Sequence, residues 1–176
     1  VYGCKEVLHD NPYLNGRHVG DWAVIELKRS TQHPGLPIAW RAWNTLNPGA
    51  RLATIGHPNL GYKLTAADGF YRQDRQASNS SAPAFFALDI DGYGGSSGSP
   101  VIRTSDYKVV GILTGSMGRY KTRPGSNPVC HEPFNMPVGS TNYTGAASYP
   151  DPLHPWLPTD AEPQVTTHNV PFGRCT

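Results

Sequence analysis

The chain has few cysteines, little net charge and no long hydrophobic segment. Its 176 residues include three cysteines, and 15 Lys and Arg against 13 Asp and Glu give a formal charge of +2 at pH 7. No apolar run reaches the length that a membrane-spanning helix needs. So small a charge does not suggest nucleic-acid binding. We therefore expect neither a membrane nor a nucleic acid among the partners.

The three cysteines also lie far apart. They are Cys4, Cys130 and Cys175, and no two of them form a C-x-x-C pair. Zinc and redox sites typically contain C-x-x-C pairs. Because this chain has none, we predict no metal and no cofactor. The odd count leaves one cysteine without an internal partner, so it is either free or bonded to another chain.

Glycine and proline, by contrast, are abundant. The 19 Gly and 17 Pro separate short runs of β-forming residues, which indicates an all-β chain of one domain. The predicted strands are Trp22–Leu27, Arg51–Gly56, Phe85–Ile90, Pro100–Arg103 and Lys108–Thr114. A hairpin turn is expected at Asp106 and Tyr107. The Pro-rich last third, from about Thr122, is predicted to be loop-like.

The stretch Asp91–Ile102 places Ser97 in a glycine-rich turn just before an apolar strand. Gly94, Gly95 and Gly98 permit sharp bending, because glycine tolerates positive φ without steric cost. The N–H groups of Gly95 and Ser97 could then converge on a developing oxyanion. On composition alone, a serine-rich hairpin loop is the better interpretation.

Four longer motifs favour the nucleophile. Gly95–Val101 resembles the G-[DN]-S-G-[GS]-P-V signature of chymotrypsin-fold serine peptidases, and its Ser-Pro ending is similar to the secreted bacterial members. Gly20–Leu27 resembles the strand that carries the catalytic aspartate. Val109–Gly115 resembles the strand along one wall of the substrate cleft, and Ile55–Pro58 resembles a G-H-P segment of the bacterial branch. All four follow the family order.

The resemblance implies an all-β, chymotrypsin-like fold of two six-stranded Greek-key barrels, with the first barrel incomplete in this chain. Residues 1–60 would hold the rest of the N-terminal barrel and the inter-barrel linker. Residues 61–121 would form the C-terminal barrel with the nucleophile, and residues 122–176 a Pro-rich extension packed on the barrels. It also implies a secreted protein with disulfides, which agrees with possible glycosylation sequons at Asn79 and Asn142.

The resemblance further implies a serine endopeptidase that acts on a polypeptide substrate through an acyl-enzyme. Ser97 would be the nucleophile, and Asp21 would orient a histidine. The N–H groups of Gly95 and Ser97 would form the oxyanion hole. The cleft-wall residues that would hydrogen-bond the substrate backbone are Thr114, Gly115 and Ser116.

A second motif competes for the serine. Gly94–Gly98 also satisfies G-x-S-x-G, the nucleophile elbow of α/β-hydrolases, with Ser96 as the nucleophile. That elbow leads from a strand into a helix. Here Pro100 and the β-branched pair Val101–Ile102 follow, and no helical periodicity appears after the serine. The context therefore argues against the elbow.

The catalytic histidine is missing from this pattern. In the resembled family it precedes the aspartate by several tens of residues, within a T-A-A-H-like motif. The chain has seven histidines: His9, His18, His33, His57, His131, His154 and His168. The first two lie too close to Asp21 and the others follow it, so we interpret all seven as surface or structural residues.

Two interpretations of this gap remain. In the first, the chain begins inside the domain as the larger piece of a nicked peptidase, and an upstream fragment of the same precursor supplies the histidine. The odd cysteine would then tether the two pieces. In the second, the chain is an inactive homologue that acts as a secreted binding module. The intact turn around Ser97 and the intact Asp21 favour the first.

Specificity depends on an acidic residue near the turn. Asp91 stands six residues before Ser97, where trypsin-like members hold the carboxylate of the substrate pocket, which would favour Arg or Lys at P1. Alternatively, Asp91 caps the turn, or Asp89 competes for the role. Glutamate-specific relatives carry a histidine on the cleft-wall strand. Because Gly111–Gly115 lacks one, glutamyl specificity is not expected.

Overall fold

The structure, a computed structural model, describes residues 3–11, 20–58, 63–75, 83–90, 92–116, 119–122, 124–125, 131–134 and 145–157. Ten strands form within these residues, which confirms the all-β prediction. They are β1 (Cys4–Asn11), β2 (Trp22–Leu27), β3 (Arg51–Gly56), β4 (Leu64–Arg75), β5 (Phe85–Asp89), β6 (Pro100–Arg103), β7 (Lys108–Ser116), β8 (Arg119–Thr122), β9 (His131–Phe134) and β10 (Gly145–Ser148). Two short 3₁₀ helices cover Ala42–Asn44 and Asp151–Trp156.

Six strands close into an antiparallel barrel in the order β10-β5-β4-β3-β6-β7. Its interior is apolar because one face of each strand points inward. Leu52, Phe86 and Val110 are fully buried there, and Leu88, Val101 and Leu113 join them in the same cluster. This barrel carries the serine turn.

The barrel draws on residues on both sides of the 61–121 range expected for it. Strand β3 lies before that range, and β10 lies well after it. The last third of the chain is therefore not loop-like throughout, because Gly145–Ser148 pairs with both β5 and β7 and closes the barrel. The short side chains of this strand give little β signal, and the strand forms because two neighbours hydrogen-bond it.

Strands β1 and β2 form a separate two-stranded antiparallel sheet. On β2, Trp22 and Val24 are buried, while Ala23 and Ile25 are exposed. The buried pair packs on Leu153 of the second 3₁₀ helix, and partly buried Trp40, Ile112 and Leu157 complete this cluster. The hairpin is thus joined to the barrel by a small apolar contact.

The remaining sequence predictions can be compared element by element. Strands β2, β3 and β6 have the predicted bounds, β5 ends one residue earlier, and β7 runs two residues further. The turn between β6 and β7 lies at residues 104–107, as predicted for Asp106 and Tyr107, and Tyr107 adopts a φ of 58°. Among the described residues, no helix is long and apolar enough to cross a membrane.

Candidate active site

A groove of about 580 Å³ lies where the hairpin meets the barrel. Asp21 stands on its hairpin side and Ser97 on its barrel side, so the two predicted catalytic residues share one cleft. The remaining lining residues are mostly apolar, with one further acid: Asp10, Trp22, Ala23, Ile25, Gly98, Ile112, Leu113 and Thr114.

Two consecutive tight turns present the serine. Ser96 N–H donates to the carbonyl of Tyr93 at 3.0 Å, and Ser99 N–H donates to the carbonyl of Ser96 at 3.1 Å. The third residue of each turn is a glycine with positive φ, 87° for Gly95 and 85° for Gly98. A type II turn needs glycine at that position. The local sequence therefore dictates the shape of the turn.

Burial identifies which serine the turn offers to a ligand. Ser96 and Ser99 are buried at 5% and 8% exposure, whereas Ser97 is exposed. The chain continues into β6 rather than into a helix. The nucleophile-elbow interpretation with Ser96 therefore fails on both burial and secondary structure.

The turn also leaves two amide groups available. Within the described part of the chain, the N–H groups of Gly95 and Ser97 have no hydrogen-bond acceptor, while those of Ser96, Gly98 and Ser99 all donate. A buried amide needs a partner, but an amide at the edge of a groove can take one from a ligand. The pair predicted for the oxyanion hole is thus available to a ligand oxygen.

The turn is fixed to the barrel from two sides. Gly98 N–H donates to the carbonyl of Leu113 on β7 at 2.7 Å, and Leu113 N–H returns a bond to the carbonyl of Ser99 at 2.9 Å. On the second side, the end of β3 lies so close to the turn that a Cβ on Gly56 would stand 2.3 Å from the hydroxyl of Ser99. These contacts hold the backbone of Ser97 without using its side chain.

Asp21 lies immediately before β2 and is exposed at the groove. The preceding Gly20 is buried with a φ of 118°, a conformation that side chains rarely adopt. The backbone of Asp21 is held by the fully buried Ser148 of β10, whose hydroxyl accepts its N–H at 2.9 Å and donates to its carbonyl at 3.3 Å. The carboxylate thus projects from an anchored main chain.

Sequence reasoning missed Ser148 and Asp10. Neither stands in a recognisable motif, and Ser148 lies 127 residues from the one it contacts. Asp10 pairs across the hairpin with Ala23, which also lines the groove. Only that register, and no local pattern, could have placed Asp10 beside the site.

The predicted cleft wall lies on the end of β7. Thr114 lines the groove, and its hydroxyl donates to the carbonyl of Ala146 at 3.1 Å. Gly115 and Ser116 pair with β10 on one side. Pairing with β6 ends at Ile112, so in the described chain the other edge of Thr114–Ser116 is open to an added strand. The side chain of Ser116 is outside the described residues.

The two candidates for the pocket carboxylate differ. Asp91 lies outside the described residues. Asp89 is buried and forms an ion pair with Arg72, with a nitrogen-to-oxygen distance of 2.5 Å. A carboxylate already neutralised by a guanidinium offers little to a substrate cation. Asp89 therefore does not compete for that role.

No histidine among the described residues lines the groove. His9 stacks on Trp156 with ring centroids 4.5 Å apart and lies 5.3 Å from the ring of Trp22. His154 meets Trp40 edge-on at 4.9 Å. His33 and His57 are exposed elsewhere. His18, His168 and the side chain of His131 are outside the described residues.

Metal-binding residues are not gathered anywhere in the described ranges, where no three His, Cys, Asp or Glu side chains form a cluster. Cys4 carries an exposed, free thiol at the start of β1. Cys130, Cys175 and the sequons at Asn79 and Asn142 all lie outside the described residues. The predicted disulfides therefore stay predictions.

Comparisons with known proteins agree on the fold. Residues 5–112 match the trypsin-like peptidase domain. The chain is similar to three structures of the Rv3671c protease of M. tuberculosis. The active form has a TM-score of 0.56 at 15% identity, over 88% of this chain and 56% of that one. The inactive form has a TM-score of 0.53 at 16% identity, over 82% and 60%.

The third structure, an inactive form with a serine-to-alanine substitution, has a TM-score of 0.54 at 15% identity, over 84% of this chain and 60% of that one. At such identities the likeness shows the fold, and the chymotrypsin-like prediction is confirmed. The chain spans 56% to 60% of the length of these structures. No curated protein matches it.

Proposed function

Because the chain belongs to the trypsin-like peptidase family, we propose that it is a serine endopeptidase with Ser97 as its nucleophile. One observation carries this proposal: Ser97 and Asp21 line a single groove. Two further observations support it, namely the exposure of Ser97 between buried serines and the available N–H groups of Gly95 and Ser97.

The reaction begins when the Ser97 hydroxyl oxygen attacks the scissile carbonyl carbon. A histidine takes the hydroxyl proton, and the carbonyl oxygen becomes an oxyanion that the N–H groups of Gly95 and Ser97 stabilise. The histidine then gives its proton to the departing amine, and the acyl group stays on Ser97. A water molecule repeats these steps and releases the second product as an acid. Such a hydrogen-bond donor contributes about 2.7–4 kcal/mol.

The histidine comes from an upstream fragment of the same precursor and occupies the groove between Asp21 and Ser97. No histidine of the described residues takes that place. Asp21 holds the imidazole in the productive tautomer and stabilises the imidazolium. The exposed thiol of Cys4 is available for a disulfide to that fragment, which would form in a secreted protein.

The substrate lies along the open edge of Thr114–Ser116 as an added strand. Asp91 at the pocket floor gives a preference for Arg or Lys at P1 through a charge-assisted hydrogen bond. The pairing of Asp89 with Arg72 supports this assignment, because it removes Asp89 as a competing carboxylate. A panel of peptides that differ only at P1 tests it, and equal cleavage of all of them would contradict it.

A fluorophosphonate probe tests the nucleophile directly, since it labels a serine only when a nearby base activates it. We expect labelling of the natively purified protein, loss of labelling in Ser97→Ala and its retention in Ser96→Ala. If the native protein is not labelled, the peptidase proposal is wrong and the chain is a binding module on a peptidase fold.

Intact mass with and without reductant tests the origin of the histidine. We expect reduction to release a fragment whose sequence contains a histidine. Labelled protein that carries no such fragment, covalently or in the purified complex, would contradict the upstream origin and leave the nucleophile assignment intact.

A further inference from the structure

The serine turn and Asp21 are attached to neighbouring positions of one strand pair. On β7, the carbonyl of Leu113 accepts the N–H of Gly98, next to the nucleophile. On β10, Ser148 binds the backbone of Asp21. Ser148 and Ile112 are cross-strand partners. The hydrogen-bonded ladder between β7 and β10 therefore sets the spacing between the two catalytic residues.

We propose that Ser148 is a positioning residue, whose hydroxyl fixes the Asp21 carboxylate relative to Ser97. The inference rests on the proposed peptidase function, in which Asp21 orients the histidine. Ser148 does not touch the substrate or the reacting atoms. It acts through the main chain of Asp21.

The two hydrogen bonds make a rigid attachment. A hydroxyl has one proton to donate, and Ser148 gives it to the carbonyl of Asp21 while accepting the N–H of the same residue. Both bonds form inside the protein, because Ser148 is fully buried. Water therefore has no ready access to replace the hydroxyl. Asp21 is held from both sides of its Cα atom.

The rest of the hairpin gives less directional support. Its other contact described above is the apolar cluster of Trp22, Val24 and Leu153, which includes Ile112 of the barrel strand β7. Apolar packing is not directional and tolerates small shifts. Thr114 does not share the task, because its hydroxyl donates to Ala146 instead. Ser148 is thus the polar anchor of Asp21 within the described structure.

The test measures peptide hydrolysis by the full precursor that carries the histidine, in four forms: wild type, Ser148→Ala, Ser148→Cys and Ser148→Thr. Alanine removes both bonds. Cysteine keeps the volume and weakens the bonds, so it serves if the alanine variant does not fold. Threonine restores the hydroxyl.

The neighbouring Tyr149→Phe is the matched control. It removes another buried hydroxyl, which bonds Asp74 and touches neither Asp21 nor Ser97. A merely structural role for Ser148 would give both variants the same pattern of effects. A positioning role would not.

We expect Ser148→Ala to lower kcat roughly 10- to 100-fold with a small change in KM, since a misplacement of about 1 Å can have this effect. The acid limb of the kcat/KM profile should move to lower pH, because an imidazolium that has lost its carboxylate is a stronger acid. Ser148→Cys should fall between alanine and wild type, Ser148→Thr should recover most of the rate, and Tyr149→Phe should keep the wild-type kcat and pH profile.

An active wild type whose Ser148→Ala and Ser148→Cys variants keep its kcat and pH profile would overturn the positioning role alone. So would equal losses in Ser148→Ala and Tyr149→Phe. An inactive wild type that no fluorophosphonate labels would overturn the peptidase function, and the positioning role with it.

Discussion

At Gly98 the backbone has a φ of 85°, and no heavy atom lies within 4 Å of the position where a Cβ would stand. Substituting alanine there therefore creates no clash and tests backbone strain alone. The left-handed conformation costs roughly 1–2 kcal/mol for a residue with a Cβ. We expect Gly98→Ala to slow fluorophosphonate labelling of Ser97 by about tenfold or more, because the turn relaxes away from the groove.

Gly35→Ala is the control for this substitution. Gly35 also has open space around it but lacks a positive φ. Its labelling rate should match that of the wild type. If Gly98→Ala labels equally fast, the positive φ at this position has no part in presenting Ser97 to the probe.

The residues of the candidate site differ in how well the sequence alone predicts their positions. Ser97 and Asp21 stand in short motifs whose backbone demands are local, so their placement in one groove was predictable. Ser148 and Asp10 acquire their positions through pairing between distant strands. Serine in a Gly-Ala-Ala-Ser run carries no sign of its partner, because that partner is a main-chain peptide 127 residues away.

Among the strands, β7 leaves no room for a side chain at Gly111, which faces Phe86 of β5 and Ser148 of β10. A Cβ on Gly111 would stand 2.6 Å from the ring of Phe86 and 3.0 Å from the carbonyl of Ser148. Overpacking of this kind costs about 1–3 kcal/mol. We expect Gly111→Ala to lower the free energy of unfolding by that amount, measured by urea denaturation.

Gly115 on the same strand provides the comparison, since no heavy atom lies within 4 Å of its Cβ position. Gly115→Ala should leave the free energy of unfolding unchanged to within about 0.5 kcal/mol. Equal losses in the two variants would mean that the effect comes from the strand backbone rather than from contact with Phe86 and Ser148.

The strands themselves show what local pattern can determine. Trp22–Leu27, Arg51–Gly56 and Pro100–Arg103 have predictable bounds because β-branched and apolar residues fill them and turn residues flank them. Leu64–Arg75 was not predicted, since its Ala-Ala-Asp-Gly run has low β propensity. It forms because β3 and β5 pair with it on both sides.

For the whole molecule, a pair of buried tyrosines predicts how stability depends on alkaline pH. Tyr71 and Tyr149 both donate to the same oxygen of Asp74, at 2.8 and 2.5 Å. Burial, reinforced by the Asp74 carboxylate, raises the pKa of Tyr71 from 10.0 to about 12. Burial also raises the pKa of Tyr149, and the bond to Asp74 adds to it.

Since the folded pKa of Tyr71 exceeds its unfolded value, the folded state binds more protons than the unfolded state between pH 10 and about 12. The free energy of unfolding must then fall as pH rises through this window. We expect the fall to be shallower in Tyr71→Phe, as measured by urea unfolding at several pH values. In the wild type, the tyrosinate absorbance of Tyr71 should appear at a higher pH than that of an ordinary tyrosine, until the protein unfolds. An equal slope in the variant would contradict this assignment.

For the chain as a whole, the fold class was predictable from the sequence, but the residues at which the barrel begins and ends were not. An all-β, chymotrypsin-like fold followed from ordered motifs. The barrel nevertheless begins at Arg51 and ends at Ser148. A closed barrel needs a hydrogen-bonded neighbour on both sides of every strand, and these outer strands complete that pairing. A Pro-rich segment can therefore contain a strand that the fold requires.

Barrel closure by β10 has a consequence for the order of events when the chain is made. Synthesis proceeds from the amino end, so β5 and β7 both emerge with unpaired edges and wait for Gly145–Ser148 to join them. The anchor for Asp21 arrives with the last of those residues. A nascent chain that lacks Ser148 contains the turn of Ser97 and Asp21, but it lacks the hydrogen bonds that attach Asp21 to β10. The cleft that holds Asp21 and Ser97 is therefore completed only after Ser148 has left the ribosome.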